Sequence, residues 1–212
     1  MSGSNQIAGS SDRKREMLAE MFEIGRHPLV LQHADTSERD GYDLETLSFA
    51  TQTGEAVRGY LTRPREVTAP LPAILYIHAH GGRYEIGADE LVSGRPALLS
   101  PLAPVFAESG YVTLTIDLPC FGTRQHMTES ALTKALLWHG RSLAGQMLAE
   151  LHSALDYLAA RPDVDEPHIG AFGLSIGATF SYSLAAVHPP HTPPAHLCCS
   201  AAFDTTTTTG PH

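Results

Sequence analysis

A chain of 212 residues, 42% hydrophobic and 17% charged, is long enough to bury one core and too apolar for overall disorder. Its 23 acidic against 14 basic residues leave a net charge of -9, which excludes the basic footprint of a nucleic-acid binder. The N-terminus "MSGSNQIAGSSDRKREM" lacks the apolar centre of a signal peptide, and no apolar run is long enough to span a bilayer; a cytoplasmic protein without a membrane partner is expected. Three cysteines, Cys120, Cys198 and Cys199, make no disulfide framework and read as reduced, structural residues.

In chain order, residues 12–25 carry Met17, Leu18, Met21, Phe22 and Ile24 near helical spacing, closed by Gly25 and Pro28. Residues 44–51 and 57–62 read as two strands joined around Thr53-Gly54, an antiparallel hairpin. After Pro70 and Pro72, "AILYIH" is a continuous apolar run, as expected of a strand buried on both faces. A helix over residues 97–109 leads through Gly110 into the strand "YVTLTID", and a polar connection then runs to about Gly140. Leu143, Met147, Leu148, Leu151, Ala154, Leu155 and Leu158 recur on one helical face until Pro162. "HIGAFG" is a further buried strand, and residues 175–187 form the helix after it.

Strands alternating with helices predict an α/β fold with a mostly parallel sheet, made mixed by the N-terminal hairpin and flanked by helices. Beyond residue 187, "HPPHTPPAH" is a loop, "LCCSAA" reads as one more strand, and "TTTTTGPH" is a low-complexity tail. The expected organisation is a helical lead-in over residues 1–40, one domain over 41–203 and a tail over 204–212.

Two stretches carry chemistry. Gly173-Leu174-Ser175-Ile176-Gly177 places a serine between glycines where a strand gives way to a helix. Such a turn projects the hydroxyl, and side chains two positions either side would collide. The start of the helix also aims free N–H groups at a developing oxyanion, with Ile176 the natural first donor. Immediately after the "AILYIH" strand, the loop of His78, Ala79, His80, Gly81 and Gly82 is placed to offer the second donor. The His78-x-His80 spacing also admits a metal pair, completed from His188, His191 and His196, but proline-rich loop histidines are more often bystanders; no metal or other cofactor is expected. Asp117 lines the cleft or, in its commoner role, bonds the following turn. Arg83, Glu85, Asp89 and Glu90 read as solvated or paired, and Trp138 as a pocket wall or core residue.

Together, "AILYIHAHGGRYEIGADEL", "GYVTLTIDLPCFGTR", "GRSLAGQMLAELHSALDYLAARPDVD" and "HIGAFGLSIGA" resemble the α/β-hydrolase superfamily, in its branch of dienelactone hydrolase-like proteins, acetyl xylan esterases and prolyl-oligopeptidase-type domains. The resemblance covers about residues 44–187. It implies an eight-stranded sheet and hydrolysis of a small carboxylic ester, lactone or acyl-sugar through an acyl-enzyme at Ser175. Ile176, Ala79, His80, Gly81 and Gly82 would serve the oxyanion and substrate.

The resemblance further implies an acid and a histidine after the elbow, and Asp204 and His212 are the residues that stand in that order. A chain terminus holds a general base poorly. The alternative expectation is therefore a fold ending after about six strands, its triad partners absent or replaced after about Val187. Such a domain would at most bind ligand, and its exposed sheet edge would favour self-association.

Overall fold

The computed structural model of the chain describes residues 3–25, 28–65, 67 and 69–187, with side chains from Asp12 onward. After helix α1 (Gly3–Met21) come strands β1 (Val30–Arg39), β2 (Tyr42–Ala50), β3 (Ala56–Pro64) and β4 (Leu71–Ile77). Helices α2 (Asp89–Ser93) and α3 (Leu102–Glu108) lead to β5 (Val112–Ile116). Helices α4 (Glu129–Trp138) and α5 (Leu143–Ala159), strand β6 (Val164–Gly173) and helix α6 (Ile176–Val187) follow.

The strands among the described residues form one six-stranded sheet in the order β1-β2-β3-β5-β4-β6. β1, β2 and β3 make an antiparallel meander, β3 runs antiparallel to β5, and β5, β4 and β6 are parallel. The mixed sheet predicted from the sequence is therefore present, but its sixth strand is β1 in front of the hairpin. The segment "LCCSAA" lies outside the described residues.

The parallel strands sit where their composition puts them. Every residue of β5 is buried, because helices cover both faces of the sheet. On one face, Leu143, Met147, Leu148, Leu151, Ala154, Leu155 and Leu158 of α5 join Leu75, Ile77, Leu114 and Ile116 in the main core. α5 starts at Ser142, whose side chain accepts from the Gly145 N–H. On the other face, Tyr76 packs with Leu91, Ala103 and Ala107. The lead-in helix contributes Leu18, with Phe22 and Ile24 just beyond it, to the edge of the main core. Among the described residues no helix is long and apolar enough to cross a membrane.

Two arginines fasten these layers, Arg124 buried and Arg161 half-buried. Arg124 donates to Glu150 on α5 (2.5 and 3.1 Å), to Glu55 in the β2–β3 turn (2.8 and 2.9 Å) and to the Asp117 carbonyl beyond β5 (3.1 Å). Arg161, after α5, donates to Glu45 on β2 (2.9 and 3.0 Å) and to Asp163 (2.8 Å to each oxygen).

Candidate active site

β6 pairs in register with β4 so that Gly173 lies beside Ile77. The elbow and the histidine loop thus leave the sheet side by side, at the C-terminal ends of two parallel strands. Ser175 has φ +58, a left-handed conformation unusual for a residue with a side chain. The reason is the crowding on either side. A Cβ on Gly177 would lie 2.1 Å from the Ile77 carbonyl oxygen, and one on Gly173 would lie 2.5 Å from the Gly177 carbonyl carbon. Only two glycines let the chain turn this tightly against β4. Ile176 opens α6, so its N–H precedes the helical hydrogen-bond ladder.

The histidine loop has most of its polar groups assigned. Its strand-end residue His78 is fully buried: Nε2 accepts from the Leu118 N–H at 3.2 Å, which leaves the proton on Nδ1, 3.2 Å from the Ala79 carbonyl. Burial pushes the His78 pKa down, so the ring is neutral. The Ala79 N–H donates to both oxygens of Glu90 (3.1 and 3.2 Å). Glu90 is itself buried, bonded by Tyr76 Oη at 2.5 Å and Arg95 at 2.6 Å. The Gly82 N–H donates to His80 Nδ1 at 3.0 Å. Of the expected donors in this loop, Ala79 and Gly82 are thereby occupied, whereas the N–H groups of His80 and Gly81 have no partner among the described residues. Gly81 and Gly82 take φ +52 and +68, the backbone twist that turns the loop.

Around this loop the aromatic rings of Tyr84 and Phe121 stack with centroids 5.0 Å apart, and His80 meets both edge-on at 5.0 and 5.1 Å. A cavity of about 350 Å³ opens beside them, lined by Tyr84, Cys120, Gln125, Met127, Thr128, Glu129 and Ser130. Apart from Tyr84, its walls come from the connection after β5 that reads as polar in the sequence. Glu129 in that wall accepts from Tyr84 Oη at 2.6 Å and from His80 Nε2 at 3.0 Å. Burial pushes the Glu129 carboxyl up, but these two hydrogen bonds outweigh it and hold the group below the usual range. Burial also raises the Cys120 thiol, which stays protonated.

Asp117 takes the bland role of the two: its carboxylate accepts from Thr123 N and Oγ1 (2.9 and 2.8 Å), from Ala88 N (2.7 Å) and from Arg58. Arg83 and Glu85 pair on the surface, and Asp89 bonds Arg58 and Tyr60. Trp138 is 88% exposed, so it neither lines this cavity nor packs in the core. Asp204, His212, Cys198, Cys199, His188, His191 and His196 lie outside the described residues. Among the described residues no three side chains are grouped to hold a metal ion. Glu90, read in the sequence as solvated or paired, is paired with Arg95 and buried under the loop, whereas Glu129 and Tyr84 are the site's unforeseen members, since each meets the loop only through the fold.

No family model matches the chain. YtaP of Bacillus subtilis (strain 168), named as a hydrolase, is 31% identical over 179 residues, which are 84% of this chain and 60% of that protein. The esterase FrsA of Yersinia enterocolitica is 28% identical over 184 residues, 86% of this chain and 37% of that protein. The chain thus spans less than two thirds of either curated relative. Among solved structures, a Bacteroides fragilis NCTC 9343 protein described as an acetyl xylan esterase matches with a TM-score of 0.70 at 21% identity, over 84% of this chain and 50% of its own. The acetyl xylan esterase of Paenibacillus sp. R4 matches with a TM-score of 0.59 at 18% identity, over 82% and 54%. The chain has an α/β-hydrolase-type fold.

Proposed function

We propose that this α/β-hydrolase-type chain cleaves a small carboxylic ester through an acyl-enzyme at Ser175. The observation that carries the reading is the left-handed serine between two glycines that could not bear side chains, at the parallel strand end beside the histidine loop. Ser175 Oγ attacks the ester carbonyl while a base takes its proton. The tetrahedral oxyanion accepts from the Ile176 N–H and from the unclaimed N–H groups of His80 and Gly81. Collapse expels the alcohol, which takes the proton back, and water then releases the acid by the same route in reverse. Asp204 and His212 are the acid and base that the chain offers in the order serine, acid, histidine. An esterase and two acetyl xylan esterases among the similar proteins point to a short acyl group, with an acyl-sugar or a lactone within the class.

The test is fluorophosphonate labelling of the purified chain beside turnover of a chromogenic acetyl ester. Labelling and turnover are expected in the parent. Both should disappear in Ser175→Ala, with kcat lower by about a thousandfold or more. His212→Ala asks whether the tail supplies the base. A folded parent that neither labels nor turns over would sink the reading and leave a domain that at most binds its ligand.

A further inference from the structure

We infer that Glu129 is a positioning residue that clamps the His80–Gly82 loop through the His80 ring, keeping the His80 and Gly81 N–H groups free to bind an oxyanion. The clamp is a relay with one hydrogen bond at each joint. Glu129 is the first residue of α4, behind the cap Thr128, whose side chain accepts from the Ala131 N–H. A carboxylate there is favoured by the helix end and anchored to a regular element. Its Oε2 accepts from Tyr84 Oη and His80 Nε2 together. The other ring nitrogen, Nδ1, accepts the Gly82 N–H.

These contacts fix the tautomer. A neutral imidazole can donate from Nε2 and accept at Nδ1 only with its proton on Nε2, and the Glu129 carboxylate selects that form. With the ring so held, Gly82 is tied down, and the intervening Gly81 keeps a conformation that glycine does not favour over others by itself. The loop is gripped from behind as well: Arg95 donates to the His80 carbonyl at 3.4 Å, and Glu90 occupies the Ala79 N–H. Two N–H groups remain, flanked on both sides by committed ones. Preorganised donors of this kind act on the rate because they are in place before charge develops.

The inference rests on the proposed oxyanion role for its kinetic consequence, and the experiment separates the two. Backbone hydrogen exchange at Gly82 and Arg83, whose N–H groups donate to the His80 ring and to the His80 carbonyl, and ester kinetics are followed in the full chain and in its Glu129→Ala and Glu129→Gln variants. In Glu129→Ala, exchange in this loop should rise about tenfold or more and kcat should fall about tenfold to a hundredfold, with KM within about twofold. Glu129→Gln keeps an oxygen that accepts from both donors, so it should restore exchange and kcat to within about threefold of the parent. Unchanged loop exchange in Glu129→Ala overturns the clamp, as does a glutamine variant no better than alanine. Faster exchange with unchanged kcat overturns the positioning role. If the parent shows no Ser175-dependent turnover, the esterase reading fails, and the exchange arm alone decides the clamp.

Discussion

Ser175 holds a backbone conformation that costs a residue with a Cβ about 1–3 kcal/mol, and the packing of Gly173 and Gly177 against Ile77 enforces it. Serine is therefore at this position against its own stability, which fits a role for the hydroxyl. Ser175→Gly is expected to be more stable than Ser175→Ala by about 1 kcal/mol in urea unfolding, because glycine relieves the strain that alanine retains. The glycine spacing makes the elbow legible in the sequence, since the steric rule behind it is local. The assignment of the loop donors is not local. Ala79 and Gly82 are withdrawn by Glu90 and by the His80 ring, and nothing in "HAHGG" states which N–H is spoken for. Glu129 stands 49 positions from His80, a separation that only the fold closes.

At the scale of elements, what the sequence shows is what packing demands of it. β4, β5 and α5 are readable because buried faces impose continuous or helical apolar patterns. β1 is not, because all ten of its residues are exposed and "VLQHADTSER" carries no alternation. α4 is hidden likewise: only Leu136 of its ten residues is buried, so its cap Thr128 is the single local cue. Joints between elements depend on ion pairs that pattern cannot reveal. The Arg161 hydrogen bonds hold Asp163 below the ordinary aspartate range, against the upward push of burial. A lowered folded-state pKa contributes stability above the unfolded pKa, about 3.9, that is lost as pH falls through the folded value. Arg161→Met is accordingly expected to cost about 2 kcal/mol at pH 7. That penalty should shrink as pH drops below about 4, a trend that thermal melts across the acid range would reveal.

Seen as a whole, the molecule puts an antiparallel meander in front of a parallel, helix-covered sheet, with β1 at one outer edge. A ten-residue edge exposed on both faces is a template for another strand, and its apolar start, Val30 and Leu31, has no charge to discourage pairing. Concentration-dependent association in sedimentation velocity is the expected behaviour, and Leu31→Lys should reduce it. Equal sedimentation of the two proteins at every concentration would remove β1 from consideration.

The buried guanidinium of Arg124 ties the β2–β3 turn, the end of β5 and helix α5 to one point. A chain fastened this way cannot melt its front and its back independently. Native-state exchange should find the meander and α5 opening in one cooperative step with a shared free energy. Arg124→Met, which leaves the buried Glu150 carboxylate with Gln146 but no cation, should cost about 3–5 kcal/mol and split that step in two, the meander opening first. In the parent chain the antiparallel meander and the parallel, helix-covered part of the sheet are thus expected to unfold together, although they are unlike in topology.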